Sequence, residues 1–256
     1  MDGSDATASV PLFKKTSSIF VIFAISCLKS VCFLRPSVSM RSVHGPVFNH
    51  DDDANGYDAD VRNEKDPIRA GYHDVLAWVI SEARIDTSSR VLELGSGTGN
   101  LSCLLHGCGE LVSVDLSERM EAIARSKLGH IPNRRFIKTD ILEVFDYESA
   151  PFDSVISTYA IHHLTDNEKC LLFAKVFANL VPGGRAVFGD LMLRNQGEKA
   201  SKIQEYLTKG DAKTAQAIKE EFFWSIDTAV RCLIELGFQV ETKRFSDLSW
   251  GVVARK

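Results

Sequence analysis

A short apolar strand that runs directly into a glycine loop constrains the fold of this chain more than any other feature. Residues 90–94 have the composition of a buried β-strand, and glycine follows at positions 95, 97 and 99. Glycine lets the backbone turn sharply and approach a ligand closely. A helical signal resumes at Asn100, and the first turn of a helix offers unpaired N–H groups to a ligand. The segment therefore predicts a strand–loop–helix unit that binds a small molecule.

The rest of the chain alternates in the same way between strands and helices. Single helices between strands imply parallel βαβ units with helices on both faces of one sheet. We therefore predict an α/β fold with a doubly wound, Rossmann-like sheet of seven strands, whose ligand lies at the carboxyl ends of the strands. The predicted strands cover residues 90–94, 111–115, 135–138, 152–157, 185–191, 238–243 and 248–254, and the predicted helices cover 66–83, 100–106, 117–128, 167–180 and 226–236.

Charge is distributed unevenly along the chain. The 256 residues have a formal net charge of −4, and residues 41–256 hold 26 basic and 32 acidic residues. An acidic domain disfavours a protein that mainly binds nucleic acid, and no apolar run reaches the roughly eighteen residues that cross a bilayer. The six cysteines form no CxxC pair. This spacing favours reduced thiols over a zinc site or a disulfide framework.

The first 45 residues resemble a targeting leader. Lys14 and Lys15 precede an apolar run over residues 19–25, and a stretch over residues 33–42 is rich in serine and arginine and has no acid. Two-part leaders of this kind are typical of proteins imported into complex plastids. We predict a cleaved or disordered leader over residues 1–45, import into a plastid or another organelle, and a folded domain over residues 46–256. The alternative is translation from Met40 and a cytoplasmic protein.

Two aspartates follow neighbouring strands of the predicted sheet. Asp115 ends the second strand, about twenty residues after Gly95, where a carboxylate accepts hydrogen bonds from both hydroxyls of a ribose. Its alternative role is to cap the helix that begins near Ser117. Asp140 follows the third strand, where it accepts from an adenine amino group while Ile141 packs against the ring. Its alternative role is that of a turn residue. Together with the glycine loop, the two acids predict an adenosine site.

Two details distinguish this loop from other nucleotide-binding loops. A nicotinamide fingerprint requires a third glycine where this chain has Asn100, and it has no acid at the position of Glu93 on the preceding strand. A Walker loop requires Gly-Lys-Ser/Thr, which does not follow. The adenosine therefore carries no phosphate.

In these segments the chain resembles class I S-adenosylmethionine-dependent methyltransferases over roughly residues 48–256. Residues 93–99 are similar to the first motif of that family, 180–184 to the turn before its fifth strand, and 236–238 to the turn before its final antiparallel hairpin. Residues 54–58 and 157–166 are similar to the YrrT-like group of bacterial methyltransferases. The resemblance implies S-adenosyl-L-methionine as the cofactor. It also implies that the cofactor contacts are Gly95, Asp115, Asp140, Glu93 and Gly97.

The acceptor is less constrained by the sequence than the cofactor. A sulfonium donor is already electrophilic, so the protein has mainly to align two reactants and exclude water. Residues 157–160 lack the Asn/Asp-Pro-Pro-Tyr of base- and glutamine-methylating enzymes, and no carboxylate cluster indicates a metal site. We predict a small-molecule acceptor. The alternatives are an RNA- or protein-directed methyltransferase, a nicotinamide-dependent oxidoreductase and a non-catalytic S-adenosylmethionine binder.

Two further features bear on the acceptor. His162 or His163 could serve as the general base, and the alternative is a packed histidine at a strand–helix junction. Residues 195–224 are too long for a simple loop, so we predict a helical lid whose aromatics, Trp224 among them, wall the acceptor pocket. The alternative is that these aromatics dock an extra helix onto the core.

Overall fold

The computed structural model describes residues 41–45 and 50–256, and within this part of the chain the sheet has the seven predicted strands and an eighth, short strand that was not predicted. The strands are β1 (Arg90–Leu94), β2 (Glu110–Asp115), β3 (Arg134–Lys138), β4 (Phe152–Thr158), β5 (Leu180–Leu193), β6 (Trp224–Ser225), β7 (Gln239–Arg244) and β8 (Ser249–Arg255). Their order in the sheet is β3-β2-β1-β4-β5-β8-β7, and the short β6 pairs with β5 beside this path.

Helices connect these strands on both faces of the sheet. Short 3₁₀ turns over Ser102–Leu104 and Ile161–His163 follow β1 and β4. The helices of the described chain are α1 (Ala54–Asp60), α2 (Tyr72–Ala83), α3 (Glu118–Lys127), α4 (Val144–Tyr147), α5 (Asp166–Asn179), α6 (Gln196–Thr208), α7 (Ala212–Glu220) and α8 (Ile226–Leu236).

The direction of the strands confirms the predicted fold class. β1 to β5 pair in parallel, whereas β8 runs antiparallel to both β5 and β7 and forms the terminal hairpin. The order reverses between β1 and β4. A doubly wound sheet binds its ligand beside such a switch point.

Strand β5 shows how the core is divided into two layers. Successive side chains of a strand point to opposite faces. Val187 and Leu191 accordingly join the cluster that contains α2, whereas Phe188 and Met192 join the cluster that contains α5 and α8. All four side chains are almost completely buried. Both faces of the sheet are therefore covered, as in a doubly wound fold.

Several helix ends lie at the residues whose chemistry predicts them. Ser225 precedes α8 and accepts a hydrogen bond from the Thr228 N–H, and Gly237 ends the helix with φ 107°. This matches the predicted helix over residues 226–236, because a glycine adopts the left-handed conformation at a helix end without steric cost. Ser117 caps α3 through the Met120 N–H.

Two predicted helices are wrong at their bounds. The helix predicted over residues 66–83 begins only at Tyr72, because Gly71 takes a left-handed φ of 80° and Asp66 instead forms a turn by accepting from the Ile68 N–H. The helix predicted over residues 100–106 is reduced to the Ser102–Leu104 turn. Leu105 takes an extended ψ of 126°, which ends the turn.

The structure describes the predicted lid completely but only the last few residues of the predicted leader. Most of the leader, residues 1–40, lies outside the described residues, whereas residues 41–45 contact the domain. The predicted boundary at residue 45 stays a prediction.

The predicted lid contains α6 and α7, which pack on the α2 side of the sheet through Tyr206, Ala215 and Ile218. In residues 41–45 and 50–256, none of the helices is long and apolar enough to cross a membrane.

Candidate active site

A cavity opens at the carboxyl ends of β1, β2, β3 and β4. It holds about 880 Å³ of empty space, its open mouth included. The structure brings most of the predicted site residues to its wall but leaves some away from it. The wall includes Gly95, Gly97, Asp115, Asp140 and His163, whereas Glu93, His162 and Trp224 lie elsewhere.

The glycine loop lies so close to the loop after β4 that no side chain would fit at position 95. Gly95 and Gly97 have φ values of 66° and 51°, which L-residues rarely adopt. A Cβ atom added to Gly95 would lie 2.3 Å from Ala160 Cβ. The absent side chain therefore sets the width of the cavity between the ends of β1 and β4.

Asp115 is fixed at the edge of the cavity by the backbone of both neighbouring loops. Its Oδ2 accepts from the Gly97 N–H at 2.7 Å, and its Oδ1 accepts from the Ser117 N–H at 2.9 Å. Burial raises the pKa of this carboxyl group. The helix cap is Ser117 rather than Asp115. The remaining lone pairs of the carboxylate are therefore available to a ligand such as a ribose.

Asp140 is buried, with 3% of its surface exposed, yet it still contributes to the cavity wall. Its Oδ1 accepts from the Leu142 N–H at 2.9 Å, as a turn residue does. Its Oδ2 accepts from Ser42, both from the N–H at 2.9 Å and from the hydroxyl at 2.7 Å. Ile141 and Leu116 line the wall beside it. The predicted adenine acid and its apolar neighbour therefore lie together, and a segment from the N-terminal side contacts Asp140.

Glu93 lies beneath the glycine loop rather than in the cavity. Its Oε2 accepts from the Ser113 hydroxyl at 3.2 Å and also from the Ser102 hydroxyl. Burial is the main cause that raises its pKa to about 7. The contacts hold the strand before the loop against the turn after it. A direct contact with the cofactor stays a prediction.

The structure separates the two histidines that the sequence left equivalent. His163 lines the cavity, whereas His162 is buried, with Nδ1 at 2.5 Å from Asp190 Oδ1 and Nε2 at 3.3 Å from Glu221 Oε2. The two rings have centroids 4.0 Å apart. Burial first, and the neighbouring His162 second, lower the pKa of His163 well below its ordinary value. His163 is therefore a neutral imidazole in contact with the cavity at neutral pH.

Aromatic residues that sequence reasoning did not assign to the site form the other wall. Tyr57, Tyr72, Tyr159 and His50 line the cavity. The rings of Tyr72 and Tyr159 stack with centroids 5.2 Å apart, and Tyr159 takes a φ of 50°. A signal for two of them was present, since Tyr57 and Tyr159 lie in the segments that resemble the YrrT-like group. Tyr72 lies in the predicted helix over residues 66–83, which the sequence did not connect with the site.

Helix α1 is attached to the glycine loop through Asp58. The Thr98 hydroxyl donates to Asp58 Oδ1 at 2.6 Å, and the Asn100 side-chain amide donates to the same oxygen at 3.0 Å. Lys127 forms an ion pair with the other oxygen. Asn100, where a nicotinamide fingerprint would have glycine, therefore helps to hold α1 across the cavity.

Trp224 does not wall the acceptor pocket. It is fully buried, and its ring centroid lies 5.4 Å from that of Phe173 and 5.8 Å from that of Phe188. Lys169, itself buried, donates to the carbonyl oxygen of Phe222 at 2.7 Å and fixes the segment before β6. Trp224 therefore packs in the core, in line with the alternative that the aromatics of this segment dock onto the core.

Comparisons with known proteins show which family the chain belongs to. The methyltransferase domain family matches residues 91–184. An uncharacterized methyltransferase of Oceanobacillus iheyensis is 31% identical over 208 residues, which cover 81% of this chain and 92% of the relative. An uncharacterized methyltransferase of a Geobacillus species is 34% identical over 209 residues, which cover 81% of this chain and 93% of the relative. The chain belongs to this methyltransferase family.

Solved structures share the fold of this methyltransferase. The magnesium protoporphyrin IX methyltransferase of Synechocystis with bound SAH matches with a TM-score of 0.58 and 18% identity, covering 83% of this chain and 99% of that chain. The DhpI-SAM-HEP complex matches with a TM-score of 0.58 and 20% identity, covering 86% and 100%. The protein is a class I methyltransferase that depends on S-adenosylmethionine. The predicted cofactor is confirmed, and the narrower YrrT-like grouping stays a prediction.

The cavity residues fit this cofactor. Asp115 would hold the ribose hydroxyls, Asp140 and Ile141 the adenine, and the loop from Gly95 to Gly97 the amino-acid tail. When bound, the sulfonium supplies an electrophilic methyl group. Among the described residues, no cluster of three possible metal ligands occurs.

Proposed function

We propose that this methyltransferase transfers the methyl group to a small-molecule acceptor that binds against the aromatic wall of the same cavity. The observation that best supports this proposal is that the neutral His163 and the stacked Tyr72 and Tyr159 share one cavity with the predicted cofactor residues. The cavity therefore has space and neutral polar groups for an acceptor beside the donor.

The charge of the cavity supports a small acceptor over RNA. In the described part of the chain, no lysine or arginine lines the cavity, and residues 41–256 are acidic in balance. Proteins that bind nucleic acid neutralise phosphates with lysine and arginine. One similar structure is named as a magnesium protoporphyrin IX methyltransferase, and that acceptor is a small molecule.

We infer that His163 is the general base for this acceptor. A base must contact the proton that it removes and must be unprotonated at the working pH. His163 lines the cavity, and its lowered pKa keeps it neutral. His162 is held away from the cavity between Asp190 and Glu221. Position therefore favours His163 over His162, and its neutral ring has a nitrogen lone pair that can accept a proton.

The test is methyl transfer from methyl-labelled S-adenosylmethionine to three separate fractions, namely low-molecular-weight metabolites, total RNA and protein. Label in the metabolite fraction supports the proposal. Label only in RNA or protein would favour the macromolecular alternative, and label in none would favour a non-catalytic binder.

The same assay tests the base. His163→Gln should lower turnover about 100-fold or more and change the affinity for S-adenosylhomocysteine less than about twofold, because the predicted cofactor contacts do not include it. His106→Gln, at an exposed histidine, is the matched control. An unchanged rate in His163→Gln would show that His163 is not the base.

A further inference from the structure

Residues 41–45 form an N-terminal strap across the adenine end of the cavity. Arg41 Nε donates to both carboxylate oxygens of Glu143 at 3.1 Å. The Val43 N–H donates to Glu168 Oε1 at 2.7 Å. The His44 ring lies 4.8 Å from the ring of Phe222, centroid to centroid. The strap therefore contacts the loop after β3, the start of α5 and the segment before β6.

The central contact of the strap is with the predicted adenine acid. Ser42 donates twice to Asp140 Oδ2, through its N–H at 2.9 Å and its hydroxyl at 2.7 Å. A carboxylate oxygen offers about two lone pairs, so Oδ2 has both of them occupied. The Leu142 N–H occupies one of the two on Oδ1. Ser42 therefore occupies most of the hydrogen-bond acceptor sites on Asp140 that an adenine amino group would use.

The strap also occupies space at this end of the cavity. Ser42 and Gly45 both line the cavity. A Cβ atom added to Gly45 would lie 3.0 Å from Asp140 Oδ2 and 3.3 Å from Leu116 Cδ1. The backbone of the strap thus lies against the acid and against an apolar residue beside which the adenine ring would pack.

We propose that the N-terminal strap is a built-in competitor of the cofactor, with Ser42 in the place of the adenine amino group on Asp140. This inference rests on Asp140 as the adenine partner. Cofactor binding then requires that Ser42 leave Asp140. The apparent Kd equals the intrinsic Kd divided by the fraction of molecules in which the strap is released. Any process that detaches the strap, including cleavage near this point, would raise cofactor affinity.

The anchors of the strap are weak enough for such a release. The side chain of Arg41 is 76% exposed, whereas that of its partner Glu143 is 3% exposed, so solvent reaches the ion pair from the arginine side and weakens it. Val43 is 75% exposed and buries almost no apolar surface. Segments with few buried apolar contacts open at low free-energy cost. The hydrogen bonds to Asp140 are therefore the main interaction that keeps the strap in place.

The test is calorimetric titration of the full chain with S-adenosylhomocysteine. Ser42→Ala removes the hydroxyl donor and should lower the Kd about threefold to tenfold, since a hydrogen bond to a charged group is lost from the competing state alone. Arg41→Ala should lower the Kd less, and its difference from wild type should shrink at high salt, which screens the solvent-exposed arginine end of the ion pair. Ser88→Ala is the matched control, because the Ser88 hydroxyl donates to an exposed aspartate, Asp86, on the surface.

If the strap were instead a permanent wall of the cofactor site, weakening its contact with Asp140 would raise the Kd for S-adenosylhomocysteine. A higher Kd in Ser42→Ala would show that Ser42 supports the cofactor site, and an unchanged Kd would show that it does not compete. Either result overturns the inference while leaving cofactor binding intact. Absence of binding by wild type and every variant would instead overturn Asp140 and its neighbours as a cofactor site.

Discussion

The buried acid beneath the glycine loop gives the protein a pH-dependent stability that one substitution should remove. Burial raises the pKa of Glu93 from 4.5 to about 7. The folded protein therefore binds this proton more tightly than the unfolded chain does. Stability is fully present below pH 4.5 and falls as the pH rises to about 7. Each pKa unit corresponds to about 1.4 kcal/mol, so the loss in the free energy of unfolding is about 3 kcal/mol.

Glu93→Gln isolates this effect. Glutamine keeps an oxygen that accepts from Ser102 and Ser113 but cannot ionise. The free energy of unfolding, measured by urea denaturation from pH 4.5 to 8, should fall in wild type relative to Glu93→Gln by about 3 kcal/mol across that range. Glu235→Gln, at an exposed glutamate of α8, should run parallel to wild type. A constant difference between wild type and Glu93→Gln at all pH values would refute the reasoning.

Two further predictions concern the predicted site. Asp115→Ala should weaken S-adenosylhomocysteine binding at least about tenfold, because hydrogen bonds to a charged acceptor are lost, and calorimetry that shows unchanged affinity would remove Asp115 from the cofactor site. Trp224→Ala should lower the free energy of unfolding by about 3–5 kcal/mol with S-adenosylhomocysteine affinity retained at low temperature, because the side chain packs in the core. Trp224→Phe should cost less in urea denaturation, and a change in affinity without a loss of stability would restore Trp224 to the acceptor pocket.

Much of the fold was predictable because local chemistry and tertiary structure agree. Strand β1 (Arg90–Leu94) and helix α8 (Ile226–Leu236) match their predicted bounds, since each is a continuous apolar or amphipathic segment with a clear end signal. Asp115 and Asp140 were predictable for a topological reason. Neighbouring parallel strands end at the same edge of the sheet, so residues that follow them meet there.

The remaining site residues depend on tertiary contacts that leave no local pattern. His162 and His163 are adjacent in sequence, and only the position of Asp190 on β5 shows which of them turns away from the cavity. Tyr72 has the spacing of a core residue, and it reaches the cavity because Tyr159 stacks against it. The contact of Ser42 with Asp140 spans 98 positions of the chain, which no spacing rule can anticipate.

The close approach of Gly95 to Ala160 limits how the acceptor specificity of this enzyme can be redesigned. Ala160 lines the cavity and is an obvious position at which to reshape it. Its Cβ already occupies the space that a Cβ of Gly95 would need. A larger residue at position 160 would therefore displace the loop that is predicted to hold the donor. Libraries that vary position 160 will mix acceptor preference with donor affinity, so positions on the tyrosine side of the cavity are the better starting point.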